Sequence, residues 1–184
     1  SMTVATTVLI SRYFGAGDPE KAKSVSNASI YSLSFFSIVV TLLIYGFQRP
    51  LFQWLQVPND ILDETCSYTV IVSTCILIQA IYMVFASILR SHKLMKYVTF
   101  VAIIMNTLNI LGNAILINGL FGFPRLGIIG AAISTNISKF IGLVIIILVF
   151  LKKTNMGLGF LNLKYFSFKM AKKVLLIAVP SGGE

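Results

Sequence analysis

Long apolar runs separated by short polar breaks set the pattern of this chain. Ser32–Tyr45, Val70–Leu89 and Ile128–Leu151 are nearly continuous in apolar and small residues. About 20 such residues cross a bilayer core, and a soluble fold has no place for several of these runs at once. The pattern predicts spans near Asn27–Phe47, Ile61–Leu89, Tyr97–Leu116 and Ile128–Leu151. The Ile61–Leu89 run is long enough to tilt. A shorter apolar segment, Met2–Phe14, comes first, and Val174–Glu184 starts a further one. The breaks read GAGDPEKAKS, QRPLFQWLQVPND, RSHKLMK, NGLFGFPRLG and KKTNMGLGFLNLKYFSFKMAKK. The expected fold is therefore an all-α, polytopic membrane protein, a helical bundle with a helix ending at each break.

Composition agrees. The 184 residues are 57% hydrophobic and 11% charged, with mean hydropathy +0.88, against about 25% charged residues in soluble domains. The first ten residues, SMTVATTVLI, lack the basic start and cleavage site of a secretory signal. Cys66 and Cys75, nine positions apart along one helix, are too distant to pair and read as small core residues.

The net charge of +9 changes the picture only through its placement. Alternate breaks hold twelve of the fifteen Lys and Arg: Arg12, Lys21 and Lys23; Arg90, Lys93 and Lys96; Lys152, Lys153, Lys164, Lys169, Lys172 and Lys173. The intervening breaks hold Arg49 and Arg125, beside Asp60, Asp63 and Glu64. Short loops rich in Lys and Arg stay cytoplasmic, so the loops at 15–24, 90–96 and 152–173 are expected inside an inner (plasma) membrane. The positive charge is a topology signal and calls for no nucleic acid. The 155–173 stretch interleaves lysines with Leu158, Phe160, Leu161, Leu163, Tyr165, Phe166 and Phe168, as suits a segment lying on the membrane surface, either a plain linker or a lipid-binding one.

Polar groups inside hydrocarbon cost several kcal/mol unless paired, so those that remain are the site candidates. Asn106, Asn109 and Asn113 fall within about 60° of one helix face. Their amides can bind a ligand, coordinate sodium near Asn109 and Asn113, or join helix to helix. Asn118 beside Gly119 reads as a helix end. Lys139 lies roughly 17 Å from either end of its span, too deep to snorkel easily. With Thr135, Asn136 and Gly142 it marks a polar, small-residue stripe, and it either faces a cavity or pairs with an acid; a cation site would be repelled by it, which favours a switch or counter-ion role. Glu184 follows Pro180, Gly182 and Gly183 near mid-membrane; its carboxyl suits reversible protonation or a buried ion pair, with Lys139 as one conceivable partner. Gln79 and Tyr82 line a cavity or bond within the core. Gly127, Ala131 and Thr135, and Gly130, Ser134 and Ser138, repeat at i+4 as small-residue seams for close helix contact. His92 sits in a basic loop, and no acid pair, metal-ligand cluster or nucleophile–base set is visible, so neither an enzyme nor a cofactor is expected.

The YFGAGDPE turn at 13–20 looks at first like a phosphate loop. No strand precedes it, and the lysine–hydroxyl pair of such loops is missing. Gly15 and Gly17 instead suit a helix end, Asp18 a cap, and Pro19 and Glu20 the first turn of the next helix.

The ordered set GAGD with a basic short helix, ILR at the end of the third run, NTLNILGNAILINGLFGFPRLGIIGAAISTNISKFIG and AVPSGGE resembles the multidrug and toxic compound extrusion (MATE) family over nearly the whole chain. The resemblance implies twelve helices in two six-helix lobes that rock between inward-open and outward-open states, a general transporter design. It implies export of drugs or organic cations as small-molecule substrates, driven by entering H+ or Na+. On that mapping residues 1–171 form most of the N-terminal lobe, from the end of the second helix through the sixth and the cytoplasmic linker, and 172–184 start the seventh. The chain is thus expected to be a piece of a longer transporter, without the first helix, which in many members carries an acid important for coupling. Many members also have Asp where Asn113 stands, often followed by proline; here Ala114 follows. An amide does not titrate near neutral pH, which speaks against a proton relay here and leaves a sodium or substrate role. Two other readings are a flippase for lipid-linked oligosaccharide of the same broad superfamily, expected to carry more basic residues in its cavity, and a noncatalytic membrane scaffold, which would not need buried Asn, Lys and Glu.

Overall fold

The computed structural model describes residues 2–178 except 123, 155, 163 and 165. Glu184, Pro180, Gly182 and Gly183 lie outside the described residues. Among the described residues there are no strands. The helices are α1 (Met2–Gly15), α2 (Pro19–Trp54), α3 (Asn59–Ser91), α4 (Met95–Asn118), α5 (Gly127–Lys153) and α6 (Phe168–Ala178), with 3-10 turns at Leu120–Gly122 and Leu158–Leu161. Four of them, α2 to α5, are long and apolar enough to cross a membrane.

Each boundary has a local cause. At the first elbow α1 ends at Gly15, Gly17 takes φ 71°, and the Asp18 carboxylate accepts from the Lys21 N–H at 3.1 Å, with Pro19 opening α2. The expected helix–cap–helix reading holds at every position. The α3–α4 elbow turns through Lys93 at φ 61°, and α4 closes on left-handed Gly119 while the Asn118 amide donates to the Ala114 carbonyl at 3.2 Å. One boundary departs from the pattern. The proline-containing break after Phe47 is not a break at Pro50, because α2 continues through it to Trp54. A proline inside a helix collides with the carbonyl four residues earlier and loses one bond. Here that carbonyl belongs to Gly46, and α2 nonetheless turns only at Gln56 (φ 58°) and Pro58.

α3 lies at the centre, against α1, α2 and α5, while α5 runs alongside both α3 and α4. The core gathers at the lysine-rich end: Leu9 and Ile10 of α1, Val25 of α2, Val84, Phe85, Ile88 and Leu89 of α3, Ile146 and Phe150 of α5, and Val174 of α6. Phe160, from the second 3-10 turn, completes an edge-to-face trio with Phe85 and Phe150, with centroids 5.1–6.3 Å apart. Phe160 is thus a core residue, not the surface aromatic expected, whereas Leu158, Phe166 and Phe168 are exposed. Helices α2 and α4 expose Phe35, Phe36, Leu42, Phe47, Ile103 and Ile110, as apolar surface in a membrane does. The structure is that of a multi-pass membrane protein.

Candidate functional site

The asparagine stripe lies on the α4–α5 seam. Those helices approach closely because small residues face each other. A Cβ on Gly130 would sit 2.6 Å from the Leu116 carbonyl oxygen, and one on Gly112 or Gly142 would strike Ser134 or Met105. Gly130, Ser134, Ser138 and Gly142 form one buried strip of α5 at i+4 spacing. Across that seam the Asn109 amide donates to the Thr135 hydroxyl at 3.0 Å, and the Asn113 amide donates to the Asn109 side-chain carbonyl at 3.3 Å. The Ser134 hydroxyl donates to the Asn109 backbone carbonyl at 3.1 Å. One acceptor is left over: the Asn113 side-chain carbonyl is buried with no hydrogen-bond partner. Asn106, on the same face, is exposed. The structure therefore joins Asn109 and Asn113 into one network and leaves Asn106 beside it.

Lys139 is half-buried on α5, one turn from Thr135 and from Asn136. Asn136 turns toward α3, donating to the Ile71 carbonyl at 2.7 Å and accepting from the Cys75 thiol. Among the described residues no carboxylate comes within ion-pair distance of Lys139; the three ion pairs are Asp18–Lys21, Glu20–Lys23 and Arg49–Asp63.

A feature the sequence did not announce joins these parts. α3 and α4 are splayed, and a cleft of about 540 Å³ opens between them, lined by Gln79, Tyr82, Met83 and Arg90 of α3 and by Met95, Val98, Thr99, Ala102 and Met105 of α4. Positions 95, 98, 99, 102, 106, 109 and 113 share one face of α4 at 100° per residue. The α4 face that lines the cleft thus leads, beyond Met105, to the asparagine stripe. On α3, Cys75 stands one turn beyond Gln79. The cleft runs from Arg90 at the basic end toward the level of Lys139 and Asn109. Of the two alternatives for Gln79 and Tyr82, the cavity wall is the one observed. Among the described residues no cluster of three His, Cys, Asp or Glu could hold a metal; the oxygen donors at hand are those of Asn109, Asn113 and Thr135.

The MatE family model matches residues 1–115. The chain belongs to the MatE family. It is 33% identical over 183 residues to the uncharacterized transporter YisQ of Bacillus subtilis, covering 100% of this chain and 40% of that protein. It is 27% identical to a probable multidrug resistance protein NorM of Thermotoga maritima, covering 99% of this chain and 39% of the relative. The chain thus spans about 40% of the length of the curated relatives it matches. Among solved structures, the inward-facing conformation of a multidrug resistance MATE family transporter superposes with TM-score 0.84 at 22% identity, over 98% of this chain and 40% of that one. An outward-facing conformation of such a transporter gives TM-score 0.81 at 23% identity. These likenesses give the fold: α1 to α6 have the arrangement of part of a MATE transporter, whose twelve helices form two lobes. Within this MatE chain two residues that the sequence reading passed over are Asn27 and Tyr31. Asn27 is fully buried and donates to the Phe160 and Asn162 carbonyls at 2.6 and 3.1 Å; the Tyr31 hydroxyl donates to the Leu161 carbonyl at 2.8 Å. An asparagine inside the apolar run after SVS was the available signal, of the same kind as Asn109.

Proposed function

We propose that this chain forms most of the N-terminal lobe of an ion-coupled exporter of drugs or organic cations that works by alternating access in the plasma membrane, with the lysine-rich end cytoplasmic. Residues 1–171 make up that lobe in this reading, and 172–184 lead into the second. The observation that carries it is the α3–α4 cleft, whose α4 face, followed one turn past Met105, leads to the Asn109–Asn113–Thr135 network. A single face of α4 changes from methionine- and valine-lined near the basic end to amide-lined deeper in the span. An amphipathic molecule can slide its apolar body along Met83, Val98 and Met105 and meet hydrogen-bonding groups further in. Flexible thioethers adapt to varied shapes, which suits a site that accepts more than one compound.

The unpaired Asn113 carbonyl supports a further role, as an acceptor for a substrate N–H or a ligand for entering Na+, a hard cation that prefers oxygen donors. An amide cannot carry the proton at this position, so coupling to H+ would have to run through a carboxylate elsewhere, with Glu184 a candidate. Lys139, with no carboxylate beside it among the described residues, acts in this reading as a switch. It repels a cation from the inner end of the cleft until an anionic group approaches it.

The test is dye efflux from vesicles carrying the full-length transporter under imposed proton or sodium gradients. Efflux that follows one of the gradients is expected. Asn113→Ala and Lys139→Ala are each expected to lower efflux at unchanged expression. Gradient-independent efflux would sink the coupling, and unaltered efflux in both variants would sink the site.

A further inference from the structure

The mouth of the α4–α5 seam carries an arrangement that the transport reading does not use. Tyr97, in the first turn of α4, holds two ammonium groups against its ring. Lys96 Nζ from α4 and Lys153 Nζ from the last turn of α5 each stand 5.3 Å from the ring centroid. The two lysines come from different helices and gather on one aromatic, although like charges repel and no carboxylate among the described residues offsets them. The acids of this end, Asp18 and Glu20, are bonded to Lys21 and Lys23. The first turn of α4 adds to the positive field, since its N-cap residue, Leu94, supplies no side-chain hydrogen bond. N–H groups at a helix start favour an anion. Lys152 stands next to Lys153 and is exposed as well. From Lys96 the exposed apolar side chains along the same face of α4 are Phe100, 61% exposed, and Ile103, 58% exposed.

We propose that Lys96, Lys153 and Tyr97 form a binding site for the phosphate of an anionic phospholipid, with its acyl chains lying along Phe100 and Ile103. Two ammoniums and the open first turn of α4 match a singly charged phosphodiester. Tyr97 places an amphipathic ring at headgroup depth, where such rings collect, and the apolar strip below gives the chains a protein surface. A free phosphate ion would meet the charges and gain nothing from the strip. The site depends on α4 and α5 lying in the membrane and is independent of what the cleft transports or which ion drives it.

The experiment is native mass spectrometry of the full chain released from detergent micelles, titrated with phosphatidylglycerol or with phosphatidylcholine of the same acyl chains. Preferential retention of phosphatidylglycerol is expected. Each lysine near an anionic headgroup is worth about fivefold in affinity. Lys96→Gln with Lys153→Gln should therefore weaken phosphatidylglycerol roughly thirtyfold, to the level of phosphatidylcholine. Lys96→Arg with Lys153→Arg should keep the preference, and Lys169→Gln with Lys172→Gln should leave it unchanged. If the double glutamine variant loses its helical circular dichroism, the single variants are read in its place, each expected about fivefold weaker. Equal retention of the two lipids by the wild-type chain, or a preference that survives the glutamine changes, overturns the site. Release of the lipid by millimolar inorganic phosphate assigns the cluster to free phosphate and overturns the lipid proposal.

Discussion

Asn109 shows how one side chain can hold a membrane seam together. Its amide donates to Thr135, its side-chain carbonyl accepts from Asn113, and its backbone carbonyl accepts from Ser134. Thr135 also donates to the Ala131 carbonyl at 2.9 Å, so it keeps a partner if Asn109 is removed, whereas Asn113 does not. Side-chain hydrogen bonds between membrane helices average about 0.6 kcal/mol and reach about 1.7. Asn109→Ala is expected to destabilise the chain by about 1–2 kcal/mol, while Asn106→Ala, at an exposed position, should stay within about 0.5 kcal/mol. Unfolding in mixed micelles checks both, and equal costs would show that the network contributes nothing beyond the loss of an amide. Asp18 allows a titration at the same scale. Its hydrogen bonds from the Lys21 ammonium at 2.6 Å and the Lys21 N–H hold its carboxyl below the usual aspartate value of 3.8. A depressed folded pKa stabilises the elbow at all pH values above the unfolded one. That contribution is lost as pH falls through 3.8 and then through the lower folded value. Carbon NMR of the side-chain carboxyl should give a midpoint below 3.8. Lys21→Gln should raise it only part of the way, since the backbone N–H remains; an unmoved midpoint would assign the shift to the backbone alone.

The helices depend on where small residues fall. The strip Gly130, Ser134, Ser138 and Gly142 lets α5 lie against α4 because a Cβ at Gly130 would press on the Leu116 backbone. Gly130→Val forces the two helices apart and is expected to cost about 1–3 kcal/mol. Gly46→Ala, in open space on α2, should instead stabilise by about 0.5–1 kcal/mol through helix propensity. Thermal unfolding of the two variants in one detergent tests the contrast, and a tolerated Gly130→Val would mean that the seam is not closely packed. Seams of this kind were legible in the sequence, because an i+4 repeat of small residues is a local pattern with one packing meaning. The elbow at 15–19 was legible for the same reason, each residue serving a local backbone need. Pro50 was not. A proline costs its helix one bond and crowds a carbonyl, but whether the helix carries on past that local cost is decided by the whole span, which no single residue states. Gln79 and Tyr82 hinted at a cavity, but the extent of the α3–α4 cleft was not legible. It arises from the angle between two helices that both pack on α5, and no residue of α3 or α4 states that angle alone.

At the scale of the molecule the packing is uneven. Large buried side chains collect at the lysine-rich end, while the far half of α2 and most of α4 stand uncovered. The segment after α5 takes part in that dense end. Its 3-10 turn packs Phe160 against the Phe85–Phe150 pair while Asn27 and Tyr31 hold the carbonyls of residues 160 to 162. From its composition the 155–173 stretch looked like a surface strap. The anchoring escaped notice because it joins residues more than 125 positions apart and uses backbone carbonyls, which carry no sequence signal. If the lobe rocks as a unit in transport, this anchor makes the first part of the linker move with it and leaves any flexing to residues further on. α6 begins its course held in the same way, with Val174 buried and the Lys173 ammonium donating to the Tyr13 hydroxyl at 2.9 Å. Asn27→Ala combined with Tyr31→Phe removes three hydrogen bonds at the anchor and leaves Phe160 in place. Each net hydrogen bond contributes about 0.5–1.5 kcal/mol, so the anchor should weaken by about 1.5–4 kcal/mol locally. Hydrogen exchange at residues 158 to 162 should accelerate roughly tenfold or more, while the α4–α5 seam keeps its protection. Exchange rising equally across α4 and α5 would mean that the anchor stabilises the whole bundle. Exchange unchanged at the turn would leave Phe160 alone as what holds the linker to the lobe.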